Sequence, residues 1–481
     1  VEDTRAGIVG VTLFVIACAS AYYLRNADVL LGHFDLGWHL AAGDLIRQMG
    51  QVPQHDPWSF TAGNTHWFNL SWLWDVLASW IYQQAQFGGL VILTVVFGTA
   101  IAGCLLFITM RAGASVLASG VAALCACLLY PAFSGFPNIY LAASPNMATM
   151  LGCVIFFGVC LKPSRALLAL PLVMLAWANL HGGFPLGLFL IGFFAAGALA
   201  RRDWRAVGLY VATGLGCLAA TLVNPLGWHI YQGVAGTLGN SAAAQITEWM
   251  SYFYNFHFPG SVPGLCYILL FAFVELRYRA PCRAEARILA WLFLLAGLYQ
   301  FRYLAFFFLF STIPMALWLD RLLPARRDTG RLFVIAGLIM SCAVPLAWWQ
   351  SVPQGGLPQL VSQNDARFLK THFPHTHLLN HWNFGGLIIF YDRGTPPLFV
   401  DGRAATAYPP GLLNDWFKLA REEVNPADWD MVLRKYGIET VMWVRTHDAL
   451  RRFLVGVRGW KEVYAGQYVS IYARPEGAAR N

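Results

Sequence analysis

The apolar residues of this chain fall in long, almost uninterrupted runs that recur from residue 8 to residue 349, with the polar residues gathered between them. A helix rises 1.5 Å per residue, so roughly 20 apolar residues cover the ~30 Å hydrocarbon core of a bilayer. Runs essentially free of Lys, Arg, Asp and Glu predict eleven spans, near 8–24, 88–108, 114–130, 146–161, 166–180, 184–200, 207–223, 262–275, 288–300, 303–319 and 332–349. Basic residues test that count, because Lys and Arg concentrate in cytoplasmic connections. Up to residue 350, one alternating set of connections holds fifteen Lys and Arg, the other only Arg25, Arg47 and Arg302. An error of one span would mix the two sets. The bias predicts a cytoplasmic N-terminus and places the residues after 350 outside.

Between the first two spans lies a long outer loop, residues 25–87, whose apolar parts must lie on the membrane if both ends stay on one side. Within 36–49, Trp38, Ala41, Ala42, Leu45, Ile46 and Met49 form one helical stripe, and within 66–82 Leu70, Leu73, Trp74, Leu77 and Ile81 do the same. Trp67, Trp72, Trp74 and Trp80 suit the headgroup layer, where an indole buries its ring and keeps its N–H wet. Two interfacial helices flanking a breaker-rich loop at 50–65 are therefore expected. After residue 350 the apolar runs shorten to strand length at 376–380, 397–400, 439–444 and 468–473, with helical patterns near 363–372, 412–423, 427–436 and 446–455. The fold class expected is a polytopic α-helical membrane domain, residues 1–350, followed by a small α/β outer domain, residues 351–481.

Composition sharpens this reading. Of 481 residues, 57% are apolar and only 12% charged, which excludes a disordered chain and argues against a soluble enzyme. The net charge of +8 does not point to nucleic acid, because the basic residues sit between spans and no basic-aromatic module accompanies them. All ten Cys lie in or beside the apolar runs, none after residue 342, and no disulfide framework or CxxC site is visible.

Ionisable residues on the predicted outer side are few. Asp35 begins the first amphipathic helix, with His39 one turn on, opposite the apolar stripe. Two readings stay open for Asp35: a general base at the water–lipid boundary, with His39 beside it, or a helix N-cap. Asp56, in His55-Asp56-Pro57, reads as a turn or a site residue, and Asp75 as a solvated-face or site residue. Arg302 stands in a connection of almost no length, LYQFRYLAFF, where its guanidinium would either hold a lipid phosphate or snorkel to anchor the helix. His181, Asn224 and Glu248 close outer helix ends, as substrate contacts or as caps. A metal among His33, His39, His55 and Asp35 has no HExxH-like spacing behind it, so no metal and no other cofactor is assigned.

The stretch FDLGWHLAAGDLIRQMGQVPQHDPWSFTAGNTHWFNLSWLWDVL, together with WANLHGGF, LVNPLGW and ITEWM, resembles the GT-C superfamily of polytopic membrane glycosyltransferases, in a bacterial branch. The layout matches too, with an early Asp in a first outer loop carrying two juxtamembrane helices, many spans and a C-terminal outer domain. The resemblance implies transfer of a sugar from a polyprenyl-phosphate donor, usually with inversion, to a protein or glycan acceptor at the outer face of the inner membrane, with the C-terminal domain periplasmic. It implies an acidic general base in the first outer loop, where Asp35 is the position that matches, and positive charge at the departing lipid phosphate, a role assigned here to Arg302. Many members carry a second acidic residue beside the first, whereas Leu36 follows Asp35 here. That departure tells against a metal-dependent version and leaves, as the alternative, a catalytically silent lipid-binding subunit of a membrane-protein complex. A transporter ranks behind both, because no charged residue lies at mid-membrane depth.

Overall fold

The computed structural model describes residues 2–25, 34–63, 65–129, 143–257, 261–323, 361–421 and 423–475. They divide into two compact units. One takes Val1–Leu31, Ala85–Gly227 and Thr247–Gln354, and the other Gly32–Gln84, Trp228–Ile246 and Gly355–Asn481. The first outer loop, grouped with the spans in the sequence reading, thus belongs to the same unit as the C-terminal residues.

The first unit is helical. Ten of the eleven apolar runs lie on described helices, and the run near 332–349 lies outside the described residues. Among the described residues, Trp72–Arg111 and Phe301–Leu322 are long and apolar enough to cross a membrane, while Ile8–Tyr22, Val116–Cys127, Asn146–Cys160, Arg165–Leu180 and Pro185–Ala200 are shorter apolar helices. Leu172, Leu215, Leu276 and Leu295 are 63–80% exposed, a surface that suits lipid rather than water. Inside, Phe157 meets Phe310 edge-on at 4.9 Å and Phe293 lies 5.0 Å from Phe310. Helices Ala284–Tyr299 and Leu304–Leu322 form a tight hairpin, with Gly297 leaving room for Leu304. Among residues that the charge bias assigns to one side, Arg201 and Arg283 share Glu285, and Arg287 pairs with Glu275.

The second unit contains a four-stranded mixed sheet of order β1-β2-β4-β3. Strands β1 (Leu378–Asn380) and β2 (Thr440–Val444) run parallel, β2 and β4 (Val469–Ala473) antiparallel, and β3 (Lys461–Ala465) closes the edge as a hairpin with β4. Three of the four expected strands are present. The fourth, 397–400, makes only single bridges through Leu398, to Ser59 and to Leu378, because its neighbours spend their backbone groups on the first loop and on Asn380. Helices Gln363–His372, Pro410–Leu419 and Pro426–Lys435 match the amphipathic patterns. Trp382–Asp392 was not expected, since residues Phe384–Ile389 are buried on every side and show no stripe.

The two predicted juxtamembrane helices are packed within this unit. Leu36–Met49 is buried almost all round through Ala42, and only its last turns, with Met49, are exposed. Glycines permit this. A Cβ on Gly37 would lie 2.8 Å from the Gly386 carbonyl carbon, and one on Gly43 would overlap the Asp75 carbonyl and lie 2.7 Å from Ser79 Cβ. The second helix begins at Trp72 rather than near 66, and its regular geometry breaks at Gln86 (φ 51°, ψ −150°) before the chain continues to Arg111.

Candidate functional site

Asp35 occupies the N-cap position of Leu36–Met49 with helical backbone angles (φ −80°, ψ −19°), and its side chain makes no capping hydrogen bond. A capping Asp adopts extended angles so that its carboxylate can reach back to the first free N–H groups. Here the carboxylate lies instead on Gly402, where a Cβ would overlap Asp35 Oδ1 and sit 2.6 Å from its Cγ. The side chain is half-buried.

Gly402 is the middle of the turn Asp401-Gly402-Arg403. Asp401 Oδ1 accepts from Arg403 N at 2.9 Å and from Nε at 2.8 Å, and Oδ2 accepts from Nη2 at 2.7 Å and from the Tyr408 hydroxyl at 2.7 Å. Arg403 Nη1 donates to Asp56 Oδ1 at 2.6 Å, and all three charged side chains are fully buried. Trp58 and Trp67 cover the guanidinium, with Cζ 4.9 and 5.0 Å from their rings. Burial opposes the Arg403 charge, but Asp401, Tyr408 and Asp56 outweigh it and hold its pKa well above the ordinary value. Burial, reinforced by the two carboxylates, pushes Tyr408 up as well, so the phenol stays a donor. Asp56, read from sequence as a turn or a substrate contact, is therefore enclosed, with its other oxygen held by Ser59 and its first by Trp58 N at 2.9 Å.

His39 does not share the setting of Asp35. Its Nδ1 lies 2.6 Å from Asp75 Oδ1 in a buried pair, Asn69 donates to Asp75 Oδ2 at 2.8 Å, and Trp38 stacks on the imidazole at 3.6 Å. The ring holds the start of one helix to the next and is not turned to solvent, contrary to the expectation that both residues face outward. Asp44 lies among Gln48, Gln83 and Arg393.

The other candidates belong to the helical unit. Glu248 and Arg302 meet at 3.8 Å, and the guanidinium lies over Trp249, 4.4 Å from its ring centre. His181 ends the Leu170–Leu180 helix, its Nδ1 2.6 Å from Thr149 Oγ1, which also accepts from Trp177 Nε1 at 2.8 Å. Asn224 shapes the next turn, accepting from Leu226 N at 2.8 Å, while Asn179 donates to the Val223 carbonyl at 2.9 Å. The WANLHGGF and LVNPLGW segments thus meet. Among the described residues no group of three His, Cys, Asp or Glu is arranged to hold a metal, and His33 lies outside them.

No protein-family model matches the chain, and no curated protein matches it by sequence. Solved structures do match. The archaeal oligosaccharyltransferase AglB from Archaeoglobus fulgidus, in complex with an inhibitory peptide and a dolichol-phosphate, aligns over 98% of this chain and 74% of its own at 13% identity and a TM-score of 0.57. ArnT from Cupriavidus metallidurans, in the apo state, aligns over 96% of this chain and 97% of its own at 15% identity and a TM-score of 0.52. The chain has the fold of GT-C glycosyltransferases. The GT-C likeness extends over nearly the whole chain, first loop and C-terminal unit included, and at these identities it speaks for the fold alone.

Proposed function

We propose that the chain transfers a sugar from a polyprenyl-phosphate-linked donor to an acceptor hydroxyl or amide at the outer membrane face, through an eleven-span domain with a cytoplasmic N-terminus. Asp35 acts as general base and Arg302 holds the lipid phosphate. The observation that carries the reading is the placement of Asp35, a half-buried carboxylate resting on Gly402 instead of capping its helix. A base must be fixed, accessible and ionised, and the locked turn beneath it supplies the first of these. The acceptor proton passes to an Asp35 oxygen as the acceptor atom attacks the anomeric carbon. The bond from that carbon to the phosphate oxygen breaks through an oxocarbenium-like state, and the electron pair leaves on the lipid phosphate, beside the Arg302 guanidinium. The dolichol-phosphate in the AglB structure supports a lipid-phosphate donor here.

The test is release of polyprenyl phosphate from a panel of synthetic polyprenyl-phosphate sugars, followed by mass spectrometry on the full chain in nanodiscs. Asp35→Asn should unfold at the wild-type temperature and lose about 100-fold or more of the turnover. Undiminished turnover in that variant removes Asp35 from the chemistry. Donor binding by the wild type with no turnover on any donor favours the silent lipid-binding subunit.

A further inference from the structure

Glu248 and Arg302 stand on backbone that is tied together. Phe301 N donates to the Met250 carbonyl at 2.9 Å and Tyr252 N to the Leu298 carbonyl at 3.1 Å. Tyr252 stacks on Phe301 with ring centres 6.2 Å apart, and Asn255 Nδ2 bonds the Thr247 and Ser251 carbonyls. On this base Trp249 offers its face to the guanidinium and its Nε1 to Glu248 Oε1 at 3.2 Å. The Arg302 and Glu248 side chains are 27% and 23% exposed, so a ligand from outside can reach both. Their 3.8 Å separation exceeds the 2.7–2.9 Å of a charge-assisted hydrogen bond. Glu248 thus attracts the guanidinium without gripping it, and a phosphate bound at Arg302 would lie within a few ångströms of a second negative charge.

The two lipids of the reaction differ in charge. The donor is a phosphodiester with one negative charge. The product is a phosphate monoester with about −1.5 to −2 at neutral pH. We propose that Glu248 makes the Arg302 site discriminate between them, disfavouring the monoester product more than the diester donor and so helping the spent lipid to leave. This inference rests on Arg302 as the phosphate site. Its physical content is repulsion that scales with ligand charge: Glu248 sits at a fixed place, and each added charge on the lipid meets the same neighbour. An exposed charge pair contributes roughly 0.5 kcal/mol, a factor of about two per ligand charge, so the dianion should feel about twice that in energy, or about fivefold in affinity.

The experiment measures binding of farnesyl phosphate, of methyl farnesyl phosphate as the diester and of inorganic phosphate to the full chain in phosphatidylcholine nanodiscs. Glu248→Gln should tighten the monoester about fivefold and the diester about twofold, with inorganic phosphate binding far more weakly than either. Arg302→Gln should weaken both lipids. Equal or opposite changes for the two lipids in Glu248→Gln, with Arg302→Gln still weakening them, overturn the discrimination by Glu248 and leave the phosphate site standing. Unchanged lipid affinity in Arg302→Gln overturns the phosphate site and the inference with it. Inorganic phosphate binding as tightly as farnesyl phosphate overturns the lipid as the ligand. Unfolding temperatures of both variants within about 2 °C of wild type establish that the site, not the fold, was altered.

Discussion

Replacing Arg403 by Leu should be among the most damaging single changes in the C-terminal unit. The guanidinium donates to Asp401 through Nε and Nη2, to Asp56 through Nη1 and to the Tyr408 hydroxyl through Nη2, and none of the three charged side chains is exposed. Removing it strands two carboxylates away from water. Breaking a buried ion pair from one side costs about 3–5 kcal/mol, because it leaves an uncompensated charge away from water. In a unit of about 200 residues each kcal/mol moves the unfolding midpoint by about 2–4 °C, so Arg403→Leu should fall by roughly 10 °C. The assay is thermal unfolding of the full chain in detergent, read by intrinsic fluorescence, since Trp58 and Trp67 flank the guanidinium. The triple variant Arg403→Leu, Asp56→Asn, Asp401→Asn should recover part of the loss, because it removes the two stranded charges while leaving buried amides in their place. A single variant within about 2 °C of wild type, or a triple variant no better than the single, would refute the reasoning.

The turn and its surroundings yield further expectations. Gly402→Ala puts a methyl where Asp35 Oδ1 lies, so the carboxylate must swing aside. Turnover should fall about 10- to 100-fold with the unfolding temperature nearly unchanged, and unaltered turnover would mean the Asp35 position is irrelevant. His381 accepts from Asn383 N at the start of Trp382–Asp392, and burial, with His447 nearby, pushes its pKa down to about 4. The folded state therefore holds the ring neutral while the unfolded chain, near 6.5, takes up a proton. Stability on this account is fully present above pH 6.5 and declines as pH falls towards 4. His381→Asn keeps a capping acceptor and should flatten that decline in unfolding scans from pH 8 to 5.

The helical unit was legible because long apolar runs free of charges mark helices without help from tertiary contacts, and ten of the eleven runs lie on described helices, two of which are long and apolar enough to cross a membrane. The short C-terminal strands were legible where a strand is buried on its own terms, as at 439–444 and 468–473. Residues 461–465 were missed because β3 is an edge strand, half exposed, with Lys461 and Glu462 in its pattern. The 36–49 stripe pointed correctly to a helix and misplaced its surroundings: Gly37 and Gly43 mark close backbone approaches, but no periodicity reveals what approaches them. Among the candidate residues, Asp35 and Arg302 stood out as charges in an apolar chain. Arg403 did not, because Asp401-Gly402-Arg403 explains itself as a turn. Its partner Asp56 is 347 positions away and only the fold joins them. The one available signal was an Asp and an Arg two apart in a chain with 12% charged residues.

That separation also sets a schedule. At about 5–20 residues per second, a ribosome takes roughly 20–70 s to travel from Asp56 to the codon that completes its partner 347 residues later. Through that interval the loop bearing Asp56, Trp58 and Trp67 is already synthesised and cannot close its own core. Its aromatic and acidic groups are an unfinished surface, available to chaperones or to quality-control proteases, until the last quarter of the chain arrives. Maturation of the part that holds Asp35 is thus tied to synthesis of the Asp401-Gly402-Arg403 turn, and a chain interrupted before residue 401 would carry its apolar helices but not a finished first loop.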